Sequence, residues 1–144
     1  VRYVNPSMLL LGVAVAAAFV ALAEWRGGTT AVRIYGVGLV IAALGYVVFA
    51  GLSGGDDWLF TEIGGALIFA GMSVAGTRGP RVVLAVGWAL HAGWDVGLHM
   101  VAGADFVPQW YVQGCVGFDL FVAGAIFVTT FGCARTAQDR SKGA

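Results

Sequence analysis

Hydrophobic residues fill this chain in long, nearly unbroken runs, separated by short stretches rich in glycine, proline and charge. Five runs stand out, at about residues 7–23, 34–52, 58–76, 82–102 and 109–132. Each approaches the ~20 residues that cross a ~30 Å hydrocarbon core as a helix. The breaks hold the turn-formers Gly27-Gly28, Ser53-Gly54-Gly55, Gly79-Pro80 and Pro108. Pro80 and Pro108 each suit the first turn of the helix that follows. The pattern predicts an all-α integral membrane bundle of five transmembrane helices, a single domain over residues 1–134, with a polar tail over residues 135–144.

Composition sharpens this class. Of 144 residues, 59% are hydrophobic and 11% charged, against about 25% charged in an ordinary soluble domain. The 23 glycines suit close helix packing in a membrane, and homo-oligomers through glycine-rich faces are a further expectation. Formal net charge is zero, so no global field favours a nucleic acid; membrane lipid is the expected partner. Cys115 and Cys133 fall near opposite ends of the last helix, ~27 Å apart at ~1.5 Å per residue, too far to pair with each other.

Charge also sets an orientation. Of the eight basic residues, Arg26, Arg33, Arg78, Arg81, Arg135, Arg140 and Lys142 fall on one side and only Arg2 on the other. The positive-inside rule then puts the N-terminus outside and the C-terminus in the cytoplasm, across a cell's inner membrane, with Trp58, Trp110 and Tyr111 at the outer interface. Ala21-Leu22-Ala23 looks like a signal-peptidase site. Cleavage there would leave every remaining basic residue outside, so all five helices are expected to stay.

The candidate chemistry lies in the fourth run, where the chain's two histidines, His91 and His99, flank Asp95 at four-residue spacing. Ionisable groups inside a membrane span are costly and usually functional. Counting ~1.5 Å per residue from Val82 puts His91 ~13 Å deep, Asp95 ~19 Å and His99 ~25 Å. The same count brings Asp119 and Tyr46 to the midplane and Glu62 to the level of His99. Two layers are expected: His91, Asp95, Asp119 and Tyr46 at the midplane, then Glu62 and His99, with Asp56, Asp57 and Asp105 above them. At a drift of ~40° per four residues, His91, Asp95 and His99 form one polar stripe. Gly93 and Gly97 beside it form a G-x-x-x-G, which lets another helix pack closely. The expected site is a polar cleft open outward and closed toward the cytoplasm.

Two chemistries use these residues. Imidazole and carboxylate ligands one turn apart can share a divalent transition metal. Because His91 and His99 are ~12 Å apart along the axis, an ion would take His91/Asp95 or Asp95/His99, completed by Asp119 or Glu62. In the other reading His91 and Asp95 exchange a proton, Asp119 faces them, and Glu62 and His99 gate the outer side. Substrates at this depth would be lipid or isoprenoid-like. A purely structural role would return only about 0.6 kcal/mol per interhelical bond. Glu24 reads as an interfacial residue near Arg26, Asp56 or Asp57 as a helix cap, Cys115 as small packing, and Trp88 and Trp94 as packing or lipid-facing residues.

The run His91-Ala-Gly-Trp94-Asp95-Val-Gly-Leu-His99, followed by Val107-Pro108-Gln-Trp110-Tyr111 and then Cys115 and Asp119, resembles a group of small multi-pass bacterial membrane proteins. These carry H-x-x-W-D-x-x-x-H and then V-P-x-W-Y-x-x-x-C-x-x-x-D, and many have a histidine doublet where this chain has His99 and Met100. The resemblance covers residues Gly87 to Asp119. It implies that His91, Trp94, Asp95, His99, Tyr111, Cys115 and Asp119 belong to one site, and it names no reaction. Three functions are expected in order: acid–base or metal-assisted chemistry on a hydrophobic substrate, cation or proton translocation through the same site, and a non-catalytic subunit of a membrane complex.

Overall fold

The computed structural model describes residues 4–53 and 56–142, with side chains described over 4–53 and 58–132. The expected rim groups of Asp56 and Asp57, the side chain of Cys133, and the charges of Arg2, Arg135, Arg140 and Lys142 lie outside the described residues. Five α-helices follow one another: α1 (Pro6–Arg26), α2 (Gly28–Ser53), α3 (Asp56–Arg78), α4 (Val82–Trp94) and α5 (Gln109–Lys142). A π-helical segment, Asp95–Val101, continues α4. No strand occurs among the described residues.

Local chemistry explains the boundaries. Pro6 opens α1, and the Asn5 side chain accepts a hydrogen bond from the Ser7 N–H at 3.0 Å, capping the first turn. Gly27 and Gly28 both take positive φ, 64° and 52°, a conformation that a β-carbon resists. The reversal is therefore immediate, and α2 begins at Gly28 rather than near residue 34.

Four helices are long and apolar enough to cross a membrane: α1, α2, α3 from Trp58, and α5 as far as Gly132. α4 has only 13 residues, ~20 Å at ~1.5 Å per residue, which is short of the core thickness. The 7-residue π segment lengthens it, and Trp94 keeps right-handed helical dihedrals across the junction, φ −61° and ψ −48°. Outward faces are apolar, with Leu10, Ile41, Leu67 and Val128 all exposed, as expected for helices that are hydrophobic all round.

α1 packs chiefly on α5, α2 on α3, and α4 on α5 and α3. Backbone approach is closest between α1 and α5, where a β-carbon at Gly12 would overlap the Gly114 carbonyl and one at Gly117 the Leu9 carbonyl. The expected close packing at Gly93 and Gly97 is not found. Both are exposed, and a β-carbon at either would meet nothing within 4 Å. The polar stripe of α4 turns inward, which leaves the glycine strip facing out.

Tyr35, Leu39, Leu84, Trp88, Val122 and Ile126 form the main core at the arginine-bearing end. A smaller core around Tyr46, Val107 and Val112 lies at the other end. Trp88 is a packing residue, 1% exposed, and donates to the Tyr35 carbonyl at 3.2 Å. Glu24 is not simply an interfacial neighbour of Arg26. Its carboxylate accepts from the Tyr35 hydroxyl at 2.8 Å and pairs with Arg81 at 2.5 Å. The Arg81 guanidinium also lies 5.3 Å from the centre of the Tyr35 ring. α1, α2 and the start of α4 are thereby joined at one end, while Arg26 rests on Trp25.

Candidate functional site

At the centre of the bundle, α4 presents His91, the π segment Asp95 and α5 Asp119. The direct partner of His91 is Asp119: Nδ1 lies 2.7 Å from Asp119 Oδ2 and 3.8 Å from Asp95 Oδ1. The sequence reading has His91 and Asp95 as the proton-transfer pair with Asp119 facing them; of the two carboxylates, the facing one makes the shorter contact. Residues one turn apart share a face, but their side chains project alongside one another, whereas Asp119 approaches from the opposite helix. Both Asp95 oxygens and His91 Nε2 are buried without a hydrogen-bond partner. Phe69 closes one side, its ring edge-on to His91 at 4.8 Å.

A second pair lies next to the first. His99 Nε2 is 3.1 Å from Glu62 Oε1, off the line of a good hydrogen bond. Trp94 Nε1–H donates to the other Glu62 oxygen at 3.2 Å. His99 Nδ1 is 3.3 Å from the Ala104 carbonyl; a carbonyl only accepts, so Nδ1 carries the hydrogen. One further proton between Nε2 and Glu62 makes this pair neutral, whichever partner holds it.

Tyr46 of α2 joins the two pairs. Its ring stacks on His99 with centroids 4.6 Å apart and planes at 16°, and sits 5.7 Å from His91. Its hydroxyl is turned toward Asp95 and Cys115. Tyr111 meets Tyr46 edge-on at 5.8 Å, and Tyr111 and Cys115 are half-buried at the margin. α2, α3, α4, the π segment and α5 thus each contribute to one polar column, with Trp94, Tyr111 and Cys115 against it.

The column is enclosed, where an outward-opening cleft was expected. Glu62, His91, Asp95, His99 and Asp119 are 2%, 1%, 0%, 0% and 1% exposed. The 102–108 loop folds over the end of the column away from the arginines: Val107 is buried, Phe106 packs edge-on against His99 at 5.2 Å, and Gln109 donates to the His99 carbonyl. Glu62 and His99 therefore lie within the seal rather than forming an open mouth.

Charge restricts what the trio can be. A neutral His91 with two ionised aspartates would leave two negative charges in apolar surroundings, at several kcal/mol per ion even after relaxation. Two states bring the net charge to zero: two added protons, or one divalent cation. The donor set fits a cation, because one ligand atom from each of His91, Asp95 and Asp119 lies within 4.8 Å of the others, and nitrogen–oxygen sets of this kind suit zinc, manganese or iron. His99 is outside this set; it belongs to the Glu62 pair.

Some neighbours were not singled out from sequence. Phe69 carried no signal beyond hydrophobicity. Gln113 is 3% exposed and accepts from the Asn5 N–H at 2.8 Å, tying the start of α1 to α5; an amide inside an apolar run was the available clue. Comparison with family models, with curated proteins and with solved structures finds no match for this chain.

Proposed function

We propose that this chain is a multi-pass membrane protein of five spans, N-terminus outside, whose His91–Asp119–Asp95 centre performs proton-transfer chemistry on a lipid or isoprenoid-like substrate. The observation that carries this reading is the 2.7 Å contact of His91 Nδ1 with Asp119, beside an Asp95 carboxylate that has no hydrogen-bond partner. With Asp119 ionised, the imidazole proton sits on Nδ1, and Nε2 keeps the lone pair that accepts a proton. Asp95 is then the second carboxyl group, free to give or take a proton at the reacting atom.

Access from the bilayer suits the substrate class. A groove of about 200 Å³ between α1 and α5 is lined by Met8, Leu11, Gly12, Tyr111, Cys115 and Phe118, among others. Tyr111 and Cys115 stand between this apolar groove and Tyr46. A hydrophobic chain lying in it would reach Asp95 past Tyr111, Cys115 and Tyr46.

The test uses membranes loaded with total lipid extract and incubated in deuterated water with wild type, Asp95→Asn or His91→Gln protein. Untargeted lipid mass spectrometry should find a species whose amount or deuterium content changes with wild type and not with either variant. Identical profiles from all three folded proteins would sink the reading. Elemental analysis beside Asp95→Ala decides the form of the centre: near-stoichiometric metal lost in the variant makes the chemistry metal-assisted, with the same three residues as ligands.

The Glu62–His99 pair favours a second reading, proton or cation translocation, because it extends the ionisable groups from the midplane toward the 102–108 loop. Proteoliposomes under a pH or cation gradient should then show a flux that Glu62→Gln reduces. No flux in sealed vesicles removes this reading.

A further inference from the structure

The arginine-bearing end of the bundle holds a second arrangement, remote from the polar column. Arg33 near the start of α2 and Arg78 in the last turn of α3 line one cavity of about 310 Å³ with Val37, Ser73 and Thr77. Both arginines are exposed, and neither has an ion-pair partner among the described residues. Arg81 and Arg26, by contrast, are engaged with Glu24 and Trp25.

An apolar groove of about 290 Å³ adjoins this cavity. It is lined by Phe19, Arg33, Val37, Gly38 and Ile41, among others, so Arg33 and Val37 belong to both. Arg33, Val37 and Ile41 recur at four-residue spacing, which keeps them on one face of α2 over ~12 Å. Val37 and Ile41 are 58% and 64% exposed. A cationic head thus leads directly into an apolar track.

The floor under the arginines is tied by hydrogen bonds. Ser73 Oγ donates to the Gly36 carbonyl and Thr77 Oγ1 to the Ser73 carbonyl, each at 2.8 Å. A β-carbon at Gly36 would come within 2.6 Å of Thr77 Cγ2, so glycine is what lets α2 and α3 close there. With their hydrogens turned to the backbone, both hydroxyl oxygens remain acceptors.

We propose that this site binds one anionic glycerophospholipid, its phosphate held by Arg33 and Arg78 and one acyl chain lying along Val37 and Ile41. Guanidinium groups suit phosphate oxygens, bidentately where geometry allows. Basic pockets between membrane helices hold anionic headgroups in the same way. A zwitterionic headgroup would bring its own cation against the second arginine. A glycerol headgroup could in addition donate to Ser73 or Thr77.

Native mass spectrometry of the detergent-purified full chain tests this, with phosphatidylglycerol and phosphatidylcholine of identical acyl chains as probes. Phosphatidylglycerol should bind at one site, on the order of tenfold tighter than phosphatidylcholine. Arg33→Gln/Arg78→Gln should abolish that preference, leaving the two lipids to bind equally and weakly, and Arg33→Lys/Arg78→Lys should keep most of it. Circular dichroism and melting of the variants should match wild type, since both side chains are exposed. Equal binding of the two lipids, or a preference that survives in the glutamine variant, overturns the proposal. So does inorganic phosphate that competes as well as the lipid does, because the site would then hold a free anion and the apolar track would be irrelevant.

Discussion

Asp119 and Asp95 differ by one atom-level fact, and that fact separates their variants. Asp119 has a hydrogen-bond partner in His91; Asp95 has none. Asp119→Leu leaves a buried imidazole N–H unpaired, so it should lower stability by about 1–3 kcal/mol. Asp95→Asn swaps a carboxyl approached only by the Tyr46 hydroxyl and, at 3.8 Å, His91 for a neutral amide of the same shape, and should melt close to the wild-type temperature. Thermal melts in detergent check both, and the opposite order would assign the structural role to Asp95. The residue types of this centre were legible in the sequence, and so was the meeting of Glu62 with His99. Which carboxylate touches His91 was not. That depends on the rotation of α5 about its axis, which a uniformly apolar helix does not encode.

At the scale of elements, what decides the outcome is where small residues lie. Gly12 and Gly117 let α1 and α5 touch backbone to backbone, whereas Gly93 faces open space. Gly12→Ala should therefore destabilise by about 1–3 kcal/mol through overpacking. Gly93→Ala should be neutral or gain up to about 1 kcal/mol from helix propensity. A parallel melting series checks the pair, and equal effects would contradict the packing described. Apolar runs located all five helices, but not which glycine strip faces protein, since glycine lines interfaces and lipid-facing surfaces alike. The π segment was equally invisible. One i→i+5 turn changes the rotation of everything beyond it, and such turns gather at functional sites. Here it carries Asp95 toward α5 and His99 toward α2 and α3, so the single stripe read from four-residue spacing serves two separate pairs.

The whole molecule inverts the usual arrangement, with apolar groups outside and a closed line of ionisable groups within. The proposed orientation rests on the arginines gathered at the end where α1 meets α2 and α3 meets α4. In a background with Cys115→Ala and Cys133→Ala, Ser53→Cys should react with an impermeant maleimide on intact cells. Thr29→Cys should react only after permeabilisation; the reverse pattern would turn the bundle over. The seal around the column has a consequence in time. Groups with almost no exposed surface exchange protons with water only when packing loosens, on the microsecond-to-second scale of local opening rather than that of diffusion. After a sudden change of external pH, infrared bands of the Asp95 and Asp119 carboxyls should relax with a lag set by the bundle's breathing. The rate should be indifferent to buffer concentration and faster where Phe106→Ala thins the cover. A response as quick as mixing would mean that water already reaches the centre.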